Sequence, residues 1–332
     1  MNSIHSVKKY DINSNLILFN NGRLNLEDFY EKIDSFIVFN SNEILFIFDT
    51  NEKNKFSFPN IPNNFGYKID SCSTSFFILY DKESLNFETF THTKEAIYSI
   101  FDKQIVYQGG ILGDRIINNF AIGGINKNVI DIFNIDKKNH QLSFPLSLLD
   151  TLQVGSKEVP YKVSEFCDIY KNILITTFTN GDILLLDIEK GKPIKLFEGT
   201  KIKEGLFQKE ENSSIYLGLK FKTYIEIDVE KQEIIKQLDL EEYFKKKFNR
   251  SILVPINTTI YRNGLIYFIA DTNIVGVFNP KTIDVVDFYE FEFENKQTML
   301  KGGKENLQVN GTNIYCLDNQ HNLYTLEFNP PS

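Results

Sequence analysis

The sequence predicts an all-β protein: a single β-propeller domain spanning residues 1–332, with seven four-stranded blades, or six as the alternative count, and one or two short inserted helices. Three observations predict it. Short runs rich in Ile, Leu, Val and Phe recur along the chain, each closed by Asp or Asn and a polar turn. The recurrence has a period of about 40–50 residues, the length of four short antiparallel strands and their turns. Neither a strand–helix alternation nor a G-x-G-x-x-G fingerprint occurs, which argues against a doubly wound α/β fold.

Five segments align without gaps: Asp49 to Pro59 (DTNEKNKFSFP), Asn134 to Phe144 (NIDKKNHQLSF), Asp187 to Phe197 (DIEKGKPIKLF), Asp228 to Leu238 (DVEKQEIIKQL) and Asn279 to Tyr289 (NPKTIDVVDFY). The runs before them are ILFIF, VIDIF, DILLL, YIEI and IVGVF. An Asp or Asn side chain bonds to the backbone just downstream and starts a tight turn, so each segment reads as a β-hairpin. The markers at 134, 187, 228 and 279 are 53, 41 and 51 residues apart, and the 85 residues from 49 to 134 leave room for two units.

A second hairpin lies upstream of the marker. Asn40-Ser41-Asn42 joins Phe36–Phe39 to Ile44–Phe48, Asn180-Gly181-Asp182 joins Leu174–Thr179 to Ile183–Leu186, and Asp271-Thr272-Asn273 joins Leu265–Ala270 to Ile274–Phe278. The unit between the first two markers is expected over Tyr67 to Phe101, with FFILYD and LNFETF as its middle strands. A last unit, Asn306 to Phe328, offers LQVN, NIYCL and LYTLEF but no fourth strand. NLILFN (Asn15 to Asn20) either completes that blade by pairing the termini, removing exposed edges, or is the innermost strand of the first blade.

The run GDILLLDIEKGKPIKLF resembles one blade of the quinoprotein-like and WD-like propeller superfamily, whose blades often carry an apolar strand, an Asp and a Gly-Lys turn. It departs from that pattern in having no Trp-Asp ending, no Gly-His pair and no Trp after the turn; the chain has no Trp at all. The resemblance implies the architecture and a binding platform, and carries over no individual functional residue.

Two segments read as helices. In Asn25 to Ile33 (NLEDFYEKI), Asn25 caps while Leu26, Phe29, Tyr30 and Ile33 share a face. In Asp239 to Phe248, Asp239 and Glu242 imitate a capping box, and Leu240, Tyr243, Phe244 and Phe248 share a face. Such helices either pack over a blade edge or serve as docking elements.

A net charge of −8 and a pI near 5.2 argue against a general phosphate-backbone binder, which needs a basic face. The densest basic run, Lys245, Lys246, Lys247 and Arg250, reads as a solvated helix face. Cys72, Cys167 and Cys316 are odd in number and lie far apart, which fits a reducing compartment and leads us to expect a cytoplasmic protein. The first ten residues offer no apolar signal-peptide core, and no apolar run is long enough for a membrane span.

Chemistry leaves little trace. No second His or Cys lies within four residues of His5, His92, His140 or His321, so neither a metal nor another cofactor is expected. Propeller hydrolases take paired carboxylates from separate blades and leave no linear motif; Glu165 and Asp168 on the innermost strand of the fourth blade and Glu204 in the fifth are the channel candidates for an enzyme acting on glycans or small ligands. The leading expectation is non-catalytic: a rigid scaffold whose loops bind another protein. An inhibitor or immunity-type protein that neutralises one partner enzyme is the alternative. The expected contact residues are the hairpin tips Asn40, Asn42, Asn180, Asp182, Asp271, Asn273, Asn319 and His321, with Tyr243, Phe244 and Phe248 of the inserted helix.

Overall fold

The computed structural model describes residues 4–11, 15–18, 36–41, 44–49, 55–57, 62, 64–72, 76–86, 91–99, 102, 104–110, 113–125, 127–152, 161–203, 205–303, 306–310, 312–320 and 322–328; before residue 62 it describes the backbone alone. Among these residues it contains seven four-stranded antiparallel sheets, which we number as blades in chain order, and one two-stranded hairpin. Residue contacts group the blades into two compact units. One is built on Gly205–Ser332 and the N-terminal strands and holds the first, fifth, sixth and seventh blades; the other is built on Phe58–Glu204 and holds the second, third and fourth.

The apolar runs are continuous because the middle strands are covered on both faces. Every residue of Ile183–Asp187 in the fourth blade and of Thr223–Asp228 in the fifth is buried. A strand buried on both sides has no use for polar alternation. The outer strand of the fifth blade, Glu233–Asp239, is instead exposed at every second position.

The marker Asp or Asn is the last residue of the third strand in five blades: Ile44–Asp49, Val129–Asn134, Ile183–Asp187, Thr223–Asp228 and Ile274–Asn279. Asp187 Oδ1 accepts the N–H groups of Glu189 (3.0 Å) and Lys190 (2.9 Å), and Asp228 Oδ1 those of Glu230 and Lys231 (both 3.1 Å). Each carboxylate also reaches the neighbouring turn, through Asn172 Nδ2 (3.3 Å) and Ser214 Oγ (2.9 Å) respectively. The fourth residue after the marker has a positive φ in four successive blades, at Lys138, Gly191, Gln232 and Ile283. Only one of these is glycine, so the turn is held in the left-handed region by hydrogen bonds as well as by residue choice.

These carboxylates predict acid sensitivity. For Asp187 the largest influence is the Lys190 N–H, and with Glu189 and the Lys190 ammonium it outweighs burial, so the pKa is lowered. Burial is the largest influence on Asp228 and pushes upward, but the Lys231 N–H, the Ser214 hydroxyl and the Lys231 ammonium together outweigh it. A folded-state pKa below the unfolded one contributes stability that is present above the unfolded value, about 3.9, and is lost as pH falls through the folded value. Urea unfolding of Asp187→Asn is therefore expected to show a deficit at pH 7 that shrinks below about pH 4; a deficit independent of pH would contradict this origin.

Two sequence expectations are corrected, and one left open between two alternatives is resolved. In the second blade FFILYD is the strand Phe76–Asp81, but its partner is Glu95–Ser99 and not LNFETF. Leu85–Asn86 pairs instead with Thr91–His92 in a small hairpin within the connection. The physical reason is burial: Glu95–Ser99 is buried throughout, as a middle strand must be, whereas Leu85 and Asn86 are half-exposed. At the N-terminus the strand beside the last blade is Ile4–Asp11, antiparallel to Asn322–Phe328, while Asn15–Leu18 is the first strand of the first blade. The expected helix Asn25 to Ile33 lies outside the described residues. The second helix exists over Glu241–Lys247 but begins after Leu240; Asp239 ends the preceding strand, and its Oδ1 still accepts the Glu241 N–H at 3.0 Å.

Candidate functional site

In a four-stranded antiparallel blade, the turn between the second and third strands and the connection to the next blade lie at one end, and the other two turns lie at the opposite end. Hydrogen bonds tie the two features of the first end together. In the fourth blade Asp182 is buried and its Oδ1 accepts the Gly199 N–H at 2.7 Å, the Thr200 hydroxyl donates to the Gly181 carbonyl, and Asn180 Nδ2 donates to Asp182 Oδ2 at 2.9 Å. Gly181 sits at φ +87°, and a Cβ there would stand 2.7 Å from the Lys201 Cα, so this close approach demands glycine.

The fifth and sixth blades repeat the arrangement. Phe221 and Ile256 exchange backbone hydrogen bonds at 2.7 and 3.0 Å, and the Leu240 N–H donates to the Lys222 carbonyl at 2.7 Å. The connection 291–300 is fixed at both ends to the sixth-blade turn, by Phe291 N–H to Asn273 O and Leu300 N–H to Thr272 O, each 2.7 Å. Asn319 of the seventh blade holds its far side, accepting the Met299 N–H at 3.1 Å and donating to the Gln297 carbonyl at 2.9 Å.

The expected contact residues therefore divide. Asp182 is inside the blade, Asn273 donates to Glu290 and to the Phe291 carbonyl, and Asn319 is a brace. Asn180, Asp271 and Thr272 are exposed. Asn40 falls on a strand of described backbone, Phe36–Ser41, while Asn42 and His321 lie outside the described residues.

The helix is not a presented docking element. Phe244 and Phe248 are buried, packed with Tyr224, Phe268 and Phe278, and this corrects their expected role as anchors. Tyr243 is half-buried; its hydroxyl donates to Asp284 and accepts the Val285 N–H at 2.5 Å. Its basic residues are largely neutralised. Lys222 bonds Glu241 (2.5 Å) and Asp239 (3.3 Å), Lys245 bonds Glu241 (2.8 Å) and Glu242 (3.0 Å), Lys247 bonds Asp284 (3.2 Å), and Arg250 pairs with Glu290. Lys222 above all, then Lys245, holds the Glu241 carboxyl down to about 2. A run so paired offers little to a phosphate backbone.

Two of the three hydrolase candidates are engaged by other groups. Glu165 is ion-paired at 2.7 Å with Arg115, which also donates to the Phe166 carbonyl. Asp168 accepts the Ile169 N–H at 2.8 Å, and Glu204 lies outside the described residues.

Sequence reasoning missed the residues that the fold does expose. Five large hydrophobic side chains stand out from the described surface: Leu148 (47%), Phe221 (41%), Ile235 (44%), Ile252 (72%) and Met299 (42%). Three of these, Phe221, Ile252 and Met299, belong to the turns and connections at one end of the fifth to seventh blades. At the opposite end of the fifth and sixth blades, Gln208–Glu211, Tyr261, Asn263, Gly264, Pro280 and Lys281 line a polar cleft of about 500 Å³.

Repeated four-stranded sheets of this order define a propeller-like fold. Solved structures agree. The chain matches Raptor from Chaetomium thermophilum with a TM-score of 0.58 at 10% identity, over 97% of its own length and 30% of the Raptor chain. It matches a chain of the mitotic checkpoint complex with a TM-score of 0.59 at 9% identity, over 99% of its length and 93% of that chain. The chain thus spans less than a third of the Raptor chain, and at these identities the likeness establishes the fold alone. No protein-family model matches the chain, and no curated protein sequence matches it. No helix among the described residues is long and apolar enough to cross a membrane.

Proposed function

We propose that this protein is a non-catalytic, protein-binding β-propeller that acts as an interaction scaffold in the cytoplasm, and that it binds through the end of the fifth to seventh blades bearing Phe221, Ile252 and Met299. The observation that carries the reading is the exposure of these three side chains on a turn and two connections that hydrogen bonds tie to neighbouring strands and turns. Apolar side chains pre-ordered on a scaffold release water on docking and lose little entropy in doing so. The buried free thiol of Cys316 fits a reducing compartment, and one of the similar structures belongs to the mitotic checkpoint complex.

The test is affinity capture of the tagged full chain from its native cell, beside the double variant Ile252→Asp/Met299→Asp. Exposed substitutions move stability by no more than about 0.5 kcal/mol, so the thermal midpoint is expected to hold. Capture of the partner is expected to fall at least about tenfold. Equal recovery of the same partner by the folded variant would refute this surface. A single stoichiometric partner enzyme inactivated on binding would shift the reading to an inhibitor.

A further inference from the structure

The connection 291–300 carries more than an exposed methionine. Its ends are fixed to the sixth-blade turn and its middle to Asn319, as described, and an internal turn closes it, with the Thr298 N–H on the Asn295 carbonyl and the Gln297 N–H on Asn295 Oδ1, both 2.9 Å. Its base is aromatic. Phe293 stacks on Phe291 with centroids 5.4 Å apart and planes 9° from parallel, and Phe291 meets Tyr289 and Tyr324 edge-on at 4.9 Å each. Phe293 remains half-buried and Met299 exposed, so a loop that is already ordered carries two accessible apolar side chains.

The charges on that loop and the turn beside it are predominantly acidic. Glu292 and Glu294 in the loop and Asp271 in the adjoining turn are exposed, and none of the three forms an ion pair among the described residues; Lys296 is the one exposed cation within 291–300. The neighbouring helix offsets them little: Lys245, Lys247 and Arg250 are engaged by Glu241, Glu242, Asp284 and Glu290, which leaves Lys246 as its one exposed lysine outside an ion pair among the described residues. A chain of net charge −8 adds a long-range field of the same sign.

We infer that the loop bearing Phe293 and Met299 docks a basic segment of a partner protein that carries apolar anchors. The anchors cover Phe293 and Met299, and its Lys or Arg side chains meet Glu292, Glu294 and Asp271. Complementary charge of this kind sets association rate and excludes acidic competitors, while the apolar contact sets residence time. The inference rests on the protein-binding reading above and specifies the chemistry of the partner.

The experiment uses the full chain and two labelled synthetic amphipathic peptides with the same Leu and Met positions, one with Lys and one with Glu at its polar positions, followed by fluorescence anisotropy. The Lys peptide is expected to bind, more weakly as salt rises, and the Glu peptide not to bind. Both Met299→Asp and Glu292→Lys/Glu294→Lys are expected to weaken the Lys peptide at least about tenfold, and the charge-reversed variant is expected to gain the Glu peptide. Absence of Lys-peptide binding, or binding unchanged in both folded variants, overturns the inference. Capture of the native partner is read in parallel: a partner still lost in Ile252→Asp/Met299→Asp but kept by Glu292→Lys/Glu294→Lys also overturns the basic chemistry, while leaving the protein-binding reading intact.

Discussion

Asp318→Ala is expected to destabilise the protein by about 3–5 kcal/mol. Asp318 is completely buried in the turn after Asn313–Leu317, and four donors surround its carboxylate. Oδ1 accepts the Gln320 and Asn322 N–H groups, both at 2.8 Å, and Oδ2 accepts Asn322 Nδ2 at 2.7 Å and the Tyr324 hydroxyl at 2.8 Å. A buried carboxylate persists only when so many donors replace water. Alanine leaves all four donors to find new partners in a site from which solvent is excluded. Asp318→Asn is the control: its carbonyl can still serve the two backbone donors, but its amide faces another amide and the tyrosine, so an intermediate loss is expected. The damage falls on Asn322–Phe328, the strand against which Ile4–Asp11 pairs. Urea unfolding measures all three proteins; a loss below about 1 kcal/mol in the alanine variant would show that the site readily hydrates.

Phe244→Ala is expected to cost a similar amount, about 3–5 kcal/mol. Phe244 has no exposed surface; it stacks on Phe248 at 5.9 Å and meets Tyr243 edge-on at 5.5 Å, within a cluster that includes Leu240, Tyr224, Phe268 and Phe278. A helix of seven residues is too short to persist unaided, so this burial is what holds it. Removing the ring leaves a cavity and frees the connection that carries Arg250 and Ile252. Tyr243→Phe keeps the packing and removes only the hydroxyl between Asp284 and Val285, so its loss is expected to be near 1 kcal/mol. Should the two variants lose the same amount, the helix is held by the hydroxyl and not by the core.

Much of the fold was legible because one device repeats. The Asp or Asn ending a third strand is both a chemical signal and the hydrogen-bond acceptor that folds the next turn, so Asn134, Asp187, Asp228 and Asn279 marked their blades correctly. The second blade was misread because an extra hairpin, Leu85–Asn86 with Thr91–His92, stands between its middle strands and mimics one of them. The strand Ile4–Asp11 escaped for another reason: its register against the last blade shifts between Ile4 and Val7, and such an irregularity destroys the alternation by which a strand is recognised.

The site was less legible, and the cause is instructive. Asn and Asp were selected as contact residues because they mark turns, yet turn-forming side chains point at the backbone they fold. Asp182, Asn273 and Asn319 accordingly face inward or brace a neighbouring connection. The exposed apolar residues Phe221, Ile252 and Met299 lie in a turn and two connections with no periodic pattern, where sequence alone cannot separate a core contact from a surface one.

Hydrogen exchange of the full chain, alone and bound to the partner it captures, tests the central claim most directly. The account predicts that binding slows exchange in residues 249–255 and 291–300, at the end that carries Ile252 and Met299. Slowed exchange confined to residues 209–214, 263–264 and 280–281, around the cleft at the opposite end of the fifth and sixth blades, would contradict it.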